Sequence, residues 1–129
     1  VGITVFSPLN YGWLSGRYRR GVEPPADSRA ARKFKMSVEG SRAGPSFDLL
    51  EQLEPVVGQS GIPISQFALA WVLANPAVSS VICGPRTLEH LEDNLKALEV
   101  ELDADLLAAV DDIAAPGSGP GWDYNYAWT

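Results

Sequence analysis

Two stretches of the sequence carry residues whose types and spacing suit the binding of an anion. In the first, Gly84-Pro85-Arg86-Thr87, a tight turn follows an apolar run and precedes a helical pattern. Such a turn points backbone N–H groups outward from a helix N-terminus, which carries about half a positive charge. Arg86 adds a planar fork of donors matched to a phosphate monoester. In the second, "FSPLNYGWLSGRY" from Phe6 to Tyr18, Ser7, Gly12 and Gly16 let the backbone approach a ligand closely, and Arg17 adds charge. Each stretch alone has a plainer reading, because Gly-x-Arg turns are common and an isolated arginine is ordinarily a surface residue. Other chemistries fail on residue supply. One cysteine, Cys83, and one histidine, His90, cannot build a structural zinc site. No Ser-His-Asp or Cys-His arrangement exists for nucleophilic catalysis, so neither a metal ligand nor a catalytic residue is assigned.

The elements that must position these turns are legible from periodicity. Gly2 to Ser7 mixes β-branched and aromatic residues without charge, the pattern of a strand buried on both faces, and Pro8 ends it. Residues 15–46 hold Gly, Pro, Ser and Arg with no sustained period and read as a long loop. From Ser46, Leu49, Leu50, Leu53, Val56 and Val57 fall on one helical face, with Pro55 placed to kink or shorten the helix. Ser65 reads as the N-cap of the next helix, stapled by Ile64 and Leu69, and "QFALAWVLA" is apolar nearly all round, which predicts deep burial. Asn75-Pro76 stops it. Val78 to Cys83 reads as a second buried strand. Thr87 then caps a helix striped by Leu88, Leu91, Leu95 and Leu98. Asp103 caps a last helix that turns Leu106, Leu107, Val110 and Ile113 inward and ends at Pro116.

This order predicts an α/β protein with two parallel strands and about four helices. Two strands are too few for a self-sufficient sheet, so the chain either pairs with another or lacks most of its sheet. Both anion-suited turns then fall at the carboxyl ends of consecutive parallel strands, the edge at which α/β proteins bind ligands.

Composition sets the remaining bounds. The 129 residues are 46% hydrophobic and 20% charged, an ordinary globular composition. No apolar run reaches the roughly 18 residues of a membrane-spanning helix, and no secretory leader pattern opens the chain. The chain begins on Val1 and its single methionine is Met36, which reads as a fragment or processed product. A lone cysteine forms no internal disulfide, so a reduced, cytoplasmic setting is expected. The net charge of −6 divides unevenly: residues 17–42 carry +5 and the remainder −11. A basic segment on an acidic body suggests an anionic partner, the alternative being a solvated loop. With Tyr18 and Phe34 as its only aromatics, the segment is poorly suited to stacking on nucleic acid bases.

The same residues resemble a known family. "FSPLNYGWLSGRY" is similar to the loop after the seventh strand of aldo-keto reductases, which commonly reads Ser-Pro-Leu, two residues, Gly, then Leu-Thr-Gly-Lys-Tyr. "ALAWVLANPAVSSVICGPRTLEHLEDNL" resembles that family's last barrel helix, eighth strand and cofactor-binding turn. The resemblance covers residues 1 to about 115. It implies the C-terminal part of a TIM (β/α)8 barrel, with the seventh and eighth βα units and their cofactor loops, followed by an irregular tail over 116–129. It also implies NADP. Phe6 would stack on nicotinamide, while Ser7, Pro8, Leu9, Gly12, Leu14 and Arg17 would line the pyrophosphate. Gly84 and Arg86 would hold the adenosine 2′-phosphate, and Asp93 and Asn94 would lie near adenine. His90 replaces the family's usual glutamine there, and imidazole can still hydrogen-bond the base.

The family's catalytic tyrosine, lysine, histidine and aspartate come from earlier strands, and Tyr11, Tyr18, Tyr124 and Tyr126 match none of those positions. The implied function is therefore the NADP-binding portion of a reductase whose complete form reduces aldehydes or ketones with NADPH. The expected partners are NADP(H) and a small carbonyl compound, with neither nucleic acid nor membrane, and with self-association of the chain possible. Two other readings stand beside it: a non-enzymatic cofactor-sensing or partner-binding module on the same barrel, and an anion-binding adaptor that uses the basic segment. The tail motif "WDYNYAW" would be a pocket wall or a packing tail.

Overall fold

The computed structural model describes residues 1–32 and 43–115. Strand β1 (Ile3–Phe6) leads into a 3-10 turn (Asn10–Ser15) and, after an irregular stretch, a single helical turn α1 (Arg29–Arg32). Helices α2 (Ala43–Gln59) and α3 (Ile64–Leu73) precede strand β2 (Val78–Ile82). Helix α4 (Leu88–Lys96), a short 3-10 turn (Ala97–Glu99) and α5 (Ala104–Ile113) complete the order. The two strands pair in parallel, with Thr4 opposite Ser80 and Phe6 opposite Ile82, and an irregularity between Ile3 and Thr4. Their carboxyl ends therefore emerge side by side, although some 75 residues separate them in sequence. A parallel pair needs a long crossover, and here α2 and α3 provide it.

The core lies among the helices. Trp13, Tyr18, Ala30, Ala43, Phe47 and Leu50 form one buried cluster; Leu53, Val57, Phe67, Leu106 and Val110 form a second. Leu14 and Ile64 touch both and join them. Trp13 meets Phe47 edge-on at 4.9 Å between ring centres and Tyr18 at 5.8 Å, a geometry favoured by the ring quadrupoles.

Two helix starts follow the sequence reading. Thr87 Oγ1 accepts from the His90 N–H at 3.2 Å, and Asp103 Oδ1 accepts from the Leu106 N–H at 2.7 Å. Others differ. Helix α2 begins at Ala43 instead of Ser46, because Pro45 in the first turn gives up only an N–H that has no helical partner. Pro55 does not shorten it: the helix runs on to Gln59, with Leu50, Leu53 and Val57 buried on either side of the proline. Ser65 is not an N-cap. Pro63, with φ of −59°, occupies that position and starts the helix two residues earlier, leaving Ser65 inside the first turn. Ile64 accordingly packs into the core clusters instead of forming a staple. The loop expected over 15–46 contains α1, whose start Ser28 caps by accepting from the Ala31 N–H at 3.2 Å. Pro116 and the tail over 116–129 lie outside the described residues, as do Lys33, Lys35 and Arg42.

The larger differences concern burial. Both strands were expected to be covered on both faces, yet Ile3, Phe6 and Ile82 are exposed, and only Val5, Val78 and Val81 are half-buried. The leucine stripe that runs along α4 into the 3-10 turn after it is open too, with Leu88 at 70% and Leu98 at 71% exposure. Helix α3, expected to be buried all round, covers Phe67 to Ala70 but leaves Trp71 at the surface. One cause serves all three. An uninterrupted apolar strand is the mark of a strand flanked by others, and among the described residues each strand has a single neighbour, with α3 packed against β2.

That open surface has a cost. At about 25 cal/mol per Å², leaving a few hundred Å² of apolar area in water forfeits roughly several kcal/mol, comparable to the roughly 5–15 kcal/mol that holds a whole domain together. The 129-residue chain alone should therefore elute from size exclusion as a self-associated species and unfold over a broad thermal range. A monomer with one sharp transition would show that the helical clusters alone suffice.

Candidate functional site

A cleft of about 680 Å³ opens at the carboxyl ends of β1 and β2. From the first strand and its turn, Phe6, Ser7, Pro8, Leu9, Gly12 and Arg17 line it; from the second, Gly84, Arg86, His90, Asp93 and Asn94. Of the residues nominated from sequence, Leu14 alone stands elsewhere, facing inward against both core clusters. The turn's geometry separates it from Leu9. Ser7, Asn10 and Tyr11 all adopt positive φ, at 54°, 45° and 56°, and Gly12 follows at 100°. Three non-glycine residues in the left-handed region within five positions make a strained turn, and such strain persists only where surrounding contacts determine it. Here the Asn10 N–H donates to the Ser7 carbonyl at 2.9 Å and the Gly12 N–H to that of Leu9 at 2.9 Å. Trp13 then pins the turn into the core. At Gly12 a Cβ would come within 3.0 Å of the Tyr18 hydroxyl, so the position excludes a side chain on two counts.

Asp27 spans the two sides of the cleft. Arg17 donates to its Oδ1, and Arg86, from the turn after β2, donates to its main-chain carbonyl and holds its Oδ2 at 3.8 Å. Arg32 Nη2 donates to the same carbonyl at 3.0 Å. The hydrogen bond from Arg17 is the main influence holding the Asp27 carboxyl below its usual range, and partial desolvation works against it. Arg29 lies over the Tyr11 ring at 4.9 Å. Four arginines therefore surround the cleft: Arg17, Arg29, Arg32 and Arg86. The rest of the described basic segment points elsewhere. Arg19 pairs with Glu54 at 2.8 Å, and Arg20 pairs with Glu51 at 2.9 Å and stacks on Phe47.

On the other wall Asp93 is engaged by α3. Ser65 Oγ donates to its Oδ2 at 2.9 Å and Gln66 Nε2 to its Oδ1 at 2.6 Å. Cys83 is half-buried beside Gly84, and burial pushes its thiol up, which keeps it protonated and a poor nucleophile. Sequence reasoning missed Tyr11, Ser28, Arg29 and Arg32 as lining residues, and Asp27 as the group that joins Arg17 to Arg86. One signal was available: Pro24-Pro25 followed by Asp27-Ser28 marks a turn and a helix cap inside the basic segment.

The fold and cleft define the class: two βα units of a parallel α/β barrel that gather cationic groups at the carboxyl edge of the strands. The model of the Aldo/keto reductase family matches residues 1–115, and the chain belongs to that family. It is 36% identical over 99% of its length to the uncharacterized oxidoreductase YrpG of Bacillus subtilis, covering 36% of that protein. It is 38% identical over 78% of its length to a probable voltage-gated potassium channel subunit beta of Oryza sativa, covering 30% of it. The fold matches a glycerol dehydrogenase, AKR11B4 from Gluconobacter oxydans, with a TM-score of 0.69 at 21% identity, over 94% of this chain and 36% of that one. The chain thus spans about a third of the length of the relatives it matches.

The Asp27 bridge sets a pH dependence. A carboxyl whose folded pKa is lowered contributes stability above its unfolded pKa, near 4, and that contribution is lost as pH falls through the lowered folded value. Amide protection factors over residues 17–32, which remove the intrinsic pH dependence of exchange, should therefore fall below about pH 4. Asp27→Asn should show the lower protection factors already at neutral pH, with little further change in acid. An unaltered acid step in that variant would assign the transition to other carboxylates, such as Glu51, which Arg20 holds low in the same way.

Proposed function

We propose that the cleft binds NADP(H), and that the chain supplies the cofactor-binding face of an aldo-keto reductase whose complete form reduces small aldehydes or ketones. The observation that carries this reading is convergence. Two turns suited to phosphate, each bearing an arginine, meet across one cleft at the carboxyl ends of paired parallel strands. Arg86 and Gly84, at the start of α4, would take the adenosine 2′-phosphate. The backbone of the strained turn, with Arg17, would take the pyrophosphate. His90, Asp93 and Asn94 would face adenine. Phe6, 62% exposed on the cleft wall, would stack on nicotinamide. NADP(H), when bound, supplies or accepts the hydride.

Proton transfer to the carbonyl oxygen is assigned to no residue here. Tyr18 is buried, with its hydroxyl oxygen accepting from the Ala30 N–H at 3.2 Å, and Tyr11 lies under Arg29. The chain's share of the work is to bind and orient the cofactor. The 129 residues mixed with NADPH and a panel of aldehydes and ketones should accordingly show no turnover above buffer. Turnover by host-reductase-free chain would place the catalytic groups within it.

Arg86 provides the sharper test. A guanidinium on a phosphate is a charge-assisted pair worth about 1.5–3 kcal/mol. In the complete protein Arg86→Ala should weaken NADPH roughly 10- to 150-fold and leave NADH nearly unchanged. Equal losses for both would assign Arg86 to the shared pyrophosphate or to the fold.

A second reading, a partner-binding module that senses the cofactor, draws on the similarity to potassium channel beta subunits. Tight NADPH binding by the complete protein without turnover on any carbonyl compound would favour it.

A further inference from the structure

We infer that the Tyr18 hydroxyl is a positioning group for the cleft: it joins the turn after β1 to α1 and so fixes where Arg29 and Arg32 stand. The inference rests on the cofactor reading of the cleft. Helix α1 is a single turn of four residues, too short to hold itself in water. Its first N–H groups have no helical partner, and Ala30, at 1% exposure, is shut off from solvent. Two oxygens meet this need. Ser28 Oγ accepts from the Ala31 N–H at 3.2 Å, and the Tyr18 hydroxyl, twelve positions earlier in sequence, accepts from the Ala30 N–H at 3.2 Å.

Tyr18 is itself fixed by the core. Its ring, 4% exposed, meets Trp13 edge-on at 5.8 Å within the cluster that includes Phe47. The same hydroxyl lies against Gly12, where a Cβ would come within 3.0 Å of it. One oxygen therefore stands between the strained turn and the helix that carries Arg29 and Arg32 to the cleft rim. Phenylalanine at this position keeps the ring and its packing but gives Ala30 no acceptor, so the loss falls on α1 and not on the core. An arginine on a loosened turn faces an anion in the cleft for less of the time. Tyr18 thus acts through Arg29 and Arg32, which makes it a positioning residue.

The test compares the complete protein with its Tyr18→Phe variant. Residue-resolved amide exchange should show Ala30 protected at least about a hundredfold in the parent, and roughly tenfold less in the variant. An unprotected Ala30 in the parent overturns the inference, whether or not the variant folds. In calorimetric titrations the variant should bind NADPH roughly 3- to 10-fold more weakly. Arg32→Ala should weaken the parent yet add little in the Tyr18→Phe background. Binding by the variant should also depend less on salt, a change that a merely structural role would not produce. Fully additive effects overturn the inference, as does a variant that binds NADPH as tightly as the parent. Failure of the parent to bind NADPH would sink the cofactor reading itself. Exchange at Ala30 then judges the tether alone: an unchanged rate in the variant overturns it, and a faster one upholds it.

Discussion

The site depends on one constraint, the parallel pairing of β1 with β2. Parallel strands bring their carboxyl ends to the same edge, so the turn after Phe6 and the turn after Ile82 emerge beside each other. An antiparallel pair would send them to opposite ends, and Arg17 and Arg86 could not meet at Asp27. Yet the pairing is weakly protected. It joins strands of four and five residues whose side chains are largely exposed, and each strand has one edge unpaired among the described residues. Isolated two-stranded sheets are marginal in water. The sheet is held in place by what lies between its strands in sequence, the helical crossover that α3 docks against β2.

The molecule therefore divides its work. The helical clusters supply rigidity, and they reach the cleft through the 3-10 turn. Trp13 sits between Phe47 of α2 and Tyr18, and Leu14 joins both clusters, so one wall of the turn is core while the other, Ser7 to Gly12, is site. Positive φ at Ser7, Asn10 and Tyr11 costs of order 1–3 kcal/mol each. Buried aromatic packing a residue or two away is of a size to offset that cost. The open sheet and the leucine stripe of α4 contribute little to this rigidity, and in a barrel of the family's type they are the surfaces that further strands and helices would cover.

How much of this could be read beforehand follows the range of the interactions. Caps are local, and Thr87 and Asp103 were legible because each needs only an N–H three residues away. Ser65 misled for a local reason too: Pro63 fixes φ at the cap position, and the hydroxyl instead serves a carboxylate on another helix. The strands were placed correctly and paired correctly, but their burial depends on neighbours that local pattern does not supply. Leu9 and Leu14 share a turn and a residue type, and only the run of left-handed residues between them decides that one faces the cleft and the other the core. Asp27, Arg29 and Arg32 escaped notice because their partners lie across the cleft or around an aperiodic loop, where no period exists to reveal them.

Charge is arranged with the same economy. The chain is acidic overall, yet its cleft is rimmed by four arginines. Two carboxylates stand among them, each engaged by neighbouring donors: Asp27, beside the cleft, by Arg17 and Arg86, and Asp93, on its wall, by side chains of α3. Asp27 holds the two arginines in place across the cleft. Arg86 donates to the Asp27 main-chain carbonyl and keeps the carboxylate 3.8 Å away, so a neutral acceptor positions its guanidinium and the anionic one acts at longer range. Asp27 is solvent-exposed, so its pairing with Arg17 is screened and contributes little on its own. The ion pair across the cleft thus orders the two turns relative to each other and leaves four arginines gathered at one edge of the sheet.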